Sequence, residues 1–166
     1  MKKSDAPEAL LAAAAIARPM KRTDVTEMVM MAKIKKGLSW TKIAKAVGQS
    51  KEWTTAGLLG QMQMTKSQAQ AAGKLLGLPE DAVLLLQQVP YKGSLPTAVP
   101  TDPLIYRFYE LVNVYGTTFK ELIHEEFGDG IMSAIDFKMD HVHEPDPKGD
   151  RVKIVMSGKY LAYKTY

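Results

Sequence analysis

The sequence contains no cysteine. Disulfides, thiolate zinc sites and thiol nucleophiles are therefore outside its chemistry, and the absence fits a reducing compartment. Long apolar runs are missing as well. The stretch that comes nearest, Ala9 to Ala17, is too short to span a bilayer. It follows Lys2 and Lys3 and ends in the small-x-small triplet Ala15-Ile16-Ala17, a faint signal-peptide look, but Asp5 and Glu8 interrupt its approach. The expectation is a frayed or loosely docked extension over 1–23 on a cytoplasmic protein. No P-loop, Rossmann glycine pattern, HExxH, EF-hand or GxSxG elbow occurs, and no internal repeat stands out. Charge of one sign is also scarce: 22 Lys+Arg stand against 18 Asp+Glu, a formal +4. An excess so thinly spread is weak evidence for a polyanion partner and more often marks a solvated face.

What is present is 166 residues with 46% hydrophobic content, enough for one medium domain or two small ones. The block 24–89 repeats a cap-to-glycine rhythm at helix scale. Thr23 or Asp24 opens a helix that turns Val25, Met28, Val29 and Ala32 inward and stops at Gly37. Ser39 to Gly48 and Ser50 to Gly60 bracket two more. Thr65 to Gly77 brackets a fourth, and Pro79 begins a fifth. Five short helices on this beat predict a small bundle. Leu38 to Ala56 has a helix-turn-helix outline, with its turn at Gly48-Gln49-Ser50. The exposed candidates Gln49, Lys51, Glu52, Thr54 and Thr55 include one cation and one acid, which leaves both a DNA-reading pair and a structural pair open.

Pro90 to Pro100 holds four Pro/Gly residues in eleven and reads as a linker, 90–100, ahead of a different block at 101–166. Asp102 caps a helix with Pro103 at its first position, and Leu104, Phe108, Leu111 and Tyr115 recur at helical spacing. Gly116 is expected to end it, and Thr118 with Glu121 to cap a second, shorter helix stopping at Gly128. From Ile131 the period changes to two. Ile131, Ser133, Ile135, Phe137 and Met139 then share one strand face, and Arg151 to Met156 alternates again. Ser157-Gly158 reads as a turn before an extended tail. A lone hairpin is marginal in water, so a neighbouring chain is expected beside it.

Within this block Arg107 and Glu110 lie three apart on one helical face among Tyr106, Phe108, Tyr109 and Leu111. A guanidinium fork suits a small planar or linear anion. A carboxylate beside it reads as its holder, as a proton relay, or simply as half of a structural ion pair. Ser133 is a hydroxyl among apolar neighbours just after Gly128 and Gly130. It reads either as backbone-bonding or as an anion donor, and a nucleophile's helper is not in view. His141 and His143 fall on one side of a strand beside Glu144, but no third ligand converges at metal-motif spacing. His124, next to Glu125 and Glu126, reads as solvated.

The string from Pro100 to Ile135, with Arg107-Phe-Tyr-Glu110 inside it, closely resembles the cyanate hydratase (cyanase) family. The likeness runs from about Val25 to Tyr166 and includes Leu84-Leu-Leu-Gln87 and Gly158-Lys-Tyr-Leu161. It implies an α+β chain. The helical domain would resemble phage-repressor-like DNA-binding proteins with DNA binding lost. The C-terminal blocks would interlace into dimers, and five dimers would form a decamer with sites between subunits. It places the catalytic arginine, glutamate and serine at Arg107, Glu110 and Ser133. The implied reaction is bicarbonate-dependent decomposition of cyanate, with bicarbonate as co-substrate and no metal, cofactor, nucleic acid or membrane involved. The chain departs from the pattern in its N-terminal extension and at Tyr91 and Lys92, where relatives often carry a smaller apolar or basic pair. The rival reading from the residues is a helix-turn-helix regulator dimerised by its C-terminal block.

Overall fold

The computed structural model describes residues 18–164 apart from 94 and 96. The expectation for the extension falls, over 1–17, outside the described residues. The chain forms two compact units, with the division between Lys92 and Gly93. It is a mixed fold of helices and a small antiparallel sheet.

The first unit carries α1 (Arg22–Lys35), α2 (Trp40–Val47), α3 (Lys51–Leu58), α4 (Lys66–Leu76) and α5 (Glu80–Leu86). The caps explain the boundaries. Ser39 Oγ accepts from the Lys42 amide, and Ser50 Oγ accepts from the Trp53 amide. Thr65 and Gln68 exchange side-chain and backbone bonds in a capping box. Gly48 and Gly77 leave their helices in the left-handed region, where a Cβ is costly. The first boundary differs from expectation. Helix α1 starts at Arg22 with Lys21 as its N-cap, and Asp24 caps it from inside the first turn, its carboxylate accepting from the Lys21 N–H at 2.7 Å. Val25 and Val29 are buried with Ile43, Leu58, Leu76 and Leu86 in one core, whereas Met28 is exposed. Arg22 donates to the Gly57 carbonyl and Thr26 to the Leu58 carbonyl, so α1 supplies donors to the bare C-terminus of α3.

The second unit is α6 (Pro103–Phe127) followed by an antiparallel pair, β1 (Gly130–Glu144) and β2 (Arg151–Ala162). Two expectations fail here. Gly116 does not end the helix; α6 runs through it for 25 residues. A mid-helix glycine weakens a helix but does not forbid it, and the Tyr115 and Phe119 rings, 6.4 Å apart, pack across the position. Thr118 and Glu121 therefore lie inside a helix and cap nothing. Ser157-Gly158 is likewise strand, not turn, so the predicted tail is the continuation of β2.

The alternation expected along β1 is also broken. Met132 pairs with Tyr160 and Phe137 with Gly158, so four residues, 133–136, face the single Lys159. Across this bulge Ser133 turns inward at 6% exposure and Ile135 outward at 99%. The unit has almost no core of its own. No residue of α6 is buried, and in the hairpin only Gly130 and Ser133 are.

Candidate active site

Asp102 fixes where α6 begins: its carboxylate accepts from the Leu104 and Ile105 amides at 2.9 and 3.0 Å. That start sets the helical phase, and one turn later Arg107 and Glu110 meet. Arg107 Nη1 donates to Glu110 Oε2 at 2.6 Å. The hydrogen bond that the guanidinium donates to Glu110, then the charge of that carboxylate, raises the Arg107 pKa above its ordinary value, so Arg107 is a fixed cation. The pair is not enclosed within one chain; its side chains are 70% and 48% exposed. An exposed pair of this kind contributes little to folding. What it retains is an oriented guanidinium fork with donors to spare, set on a helix whose apolar side chains lack cover.

Ser133 sits at the root of the bulge. Its Oγ accepts from the Ile135 amide at 3.1 Å and from the Asp136 amide at 2.9 Å. A hydroxyl has two acceptor lone pairs and one donor hydrogen. Both lone pairs are engaged here, so the group that remains is an O–H donor. A hydroxyl held this way is a weak nucleophile and keeps its hydrogen to donate.

A single chain brings Arg107 and Glu110 together but not Ser133. Arg107 lies twenty residues before Phe127, about 30 Å along α6 at ~1.5 Å per residue. Ser133 follows the end of that helix after a short turn. There Phe127 packs on Tyr160 at 5.3 Å, and His124 Nε2 lies 3.2 Å from the Gly130 carbonyl.

His124, expected to be solvated, is half-buried and has side-chain and backbone partners. Its Nδ1 is 3.0 Å from Lys120 Nζ, and it lines a cleft of about 380 Å³ with Gly116, Lys120, Gly130, Met132 and Tyr163. The signal in the sequence was the i,i+4 spacing of Lys120 and His124. His143 bonds Asp150 at 2.6 Å. Among the described residues no three acidic or histidine side chains cluster at metal-binding separation.

Two family models match the chain. Residues 22–90 match the N-terminal domain of cyanate hydratase, and residues 97–165 match the cyanate lyase C-terminal domain. The chain belongs to the cyanate hydratase family. Curated relatives named cyanate hydratase include one from Ralstonia pickettii (strain 12J), 71% identical over 147 residues, and one from Dechloromonas aromatica (strain RCB), 69% identical over 147. Each match spans 89% of this chain and 100% of the relative. A crystal structure of cyanase from T. urticae has a TM-score of 0.73 at 38% identity, covering 83% of this chain and 96% of that one. Cyanate hydratase relatives thus account for the helical unit as well as the C-terminal one, and they do not favour the DNA-binding regulator. As a cyanate hydratase family member the chain is an enzyme, a lyase.

Proposed function

We propose that this chain decomposes cyanate with bicarbonate as the second substrate, at sites built from more than one subunit. An oxygen of bicarbonate bonds to the cyanate carbon. The C–O bond on the bicarbonate side of the resulting mixed anhydride then breaks. CO2 leaves, and the nitrogen, having gained the bicarbonate hydrogen and one further proton, is left as carbamate. Carbamate takes a second proton and splits into ammonia and another CO2. No oxidant, reductant or resident cofactor enters this balance.

Both substrates are anions, so the site must offset their repulsion and hold them in line. Arg107 grips and polarises them, Glu110 keeps its fork aimed, and Ser133 donates a hydrogen bond to the oxygen on which charge grows. The observation that carries this reading is the state of Ser133. Its two lone pairs are consumed by the Ile135 and Asp136 amides, which makes it a fixed donor of the kind an anion needs. Two features support a shared site. Within one chain Arg107 and Glu110 bond each other while Ser133 bonds the Ile135 and Asp136 amides, and the unit bearing both has almost no core of its own. Interlaced dimers, five to a decamer, would cover those faces and bring one subunit's arginine to another's serine. The helical unit in this reading is a phage-repressor-like bundle relieved of DNA binding, and the enzyme works in the cytoplasm.

Mixing subunits tests the shared site. Arg107→Ala and Ser133→Ala assemblies, each reduced about 100- to 1,000-fold alone, are dissociated together and reassembled. A site that draws the two residues from different subunits regains both in about a quarter of random pairings. Activity rising on mixing is the expected result. Two impaired parents that stay as impaired when mixed, at confirmed mixed assembly, would place both residues in one subunit's site.

A further inference from the structure

Gly158 lies opposite the bulge, paired with Phe137 where the β1–β2 register resumes. It is not among the glycines with positive φ, so the position does not need glycine for its backbone angles. It needs glycine for space. A Cβ there would fall on the carbonyl oxygen of Ser133, well inside van der Waals contact, and 2.7 Å from Met132 Cγ. A methionine side chain can change rotamer to move its Cγ aside; a backbone carbonyl cannot move without turning its own residue. Here that residue is Ser133, whose Oγ is tied to the amides of Ile135 and Asp136. The four-against-one bulge therefore depends on the β2 backbone approaching Ser133 more closely than any side chain permits.

We infer that Gly158 is a positioning residue for the reaction: its missing side chain holds the Ser133 hydroxyl where the bound anion meets it. The inference rests on the proposed role of Ser133. Gly158 touches no substrate and acts through the Ser133 backbone. A methyl group at 158 displaces that carbonyl, and the hydroxyl shifts with it. A misplacement of about 1 Å in a site that works by orientation costs on the order of 100-fold in rate. The loss belongs in kcat, because the donor acts on charge that develops after binding.

The test is a cycle of four assemblies: wild type, Gly158→Ala, Ser133→Ala and the double variant. Each is checked for native mass by sedimentation and assayed for ammonia release from cyanate. Gly158→Ala is expected to assemble, to lose about 100-fold in kcat, and to change KM by less than about threefold. In the Ser133→Ala background the same substitution should cost less than about threefold, since the group it displaces is already gone. Backbone amide exchange at Ile135 and Asp136 should accelerate in Gly158→Ala while α1–α5 stay protected. Equal losses in both backgrounds, or a Gly158→Ala chain that does not assemble, would overturn the inference and make Gly158 a requirement of the hairpin as a whole. Full activity in Ser133→Ala is a separate result, which would overturn the reading of Ser133 itself.

Discussion

In the proposed reaction three side chains carry the chemistry, each with its own part. Arg107 supplies charge, Glu110 aim, and Ser133 one directed hydrogen. Removing a single donor of this kind from an anion-stabilising site costs about 100- to 1,000-fold in turnover. Arg107→Ala and Ser133→Ala are expected to fall in that range, measured as ammonia release from folded, assembled protein. Near-wild-type rates in both would remove them from the site. In the first unit, Asp24 offers a test of electrostatics in the fold. Its carboxylate accepts from both terminal nitrogens of Arg18, each at 2.8 Å, and from the Lys21 N–H. These bonds, that to Arg18 first, lower its pKa from 3.8 to about 2. A folded-state pKa depressed in this way contributes stability that is present above 3.8 and lost as pH falls toward 2. The melting temperature of Asp24→Asn should therefore lie below that of wild type near neutrality, with the gap closing between those two values. A gap independent of pH would contradict the assignment.

At the scale of elements, α6 and the hairpin show where pattern reading works and where it stops. Beyond the start of α1, the helix boundaries of the first unit were legible because caps are local chemistry: Ser39, Ser50 and Thr65 each bond the amide three residues on, and Gly48 and Gly77 take a conformation that disfavours a side chain. Gly116 was misread because a glycine that stops a helix and one that merely weakens it look the same in a sequence. The two readings predict opposite signs. In a continuous helix, Gly116→Ala meets only Val112 Cγ1 at 3.6 Å and should stabilise by about 0.5–1 kcal/mol. At a left-handed helix end it would destabilise, and denaturant unfolding of the assembled protein decides between them. The bulge was not legible either. A strict period of two put Ser133 and Ile135 on one face, but the four-against-one register depends on β2 and its glycine, 25 residues beyond Ser133. Arg107, Glu110 and Ser133 could be picked out by type and by resemblance; the engaged lone pairs of Ser133 could not, since they follow from that bulge.

At the scale of the whole molecule, the two units differ in how much apolar surface they bury. Its first unit has a core of buried aliphatic side chains, and its second exposes Phe108, Leu111, Val112, Phe119 and Ile135. Faces of this size and polarity are covered in a stable protein. Ile135 is the sharpest probe, because an acidic residue at a site 99% exposed in the single chain leaves that chain's packing untouched. Ile135→Asp should lower the assembled mass in sedimentation velocity while helical content is retained. An unchanged mass would mean that the bulge tip stays outside every interface. The central claim is catalytic, and one assay addresses it: ammonia release from cyanate by the purified wild-type protein, with dissolved CO2 and bicarbonate stripped out and then restored. Release that appears only when bicarbonate returns is the predicted result. Release at the same rate without bicarbonate would contradict the two-anion reaction, and no release in either condition from assembled protein would contradict the activity.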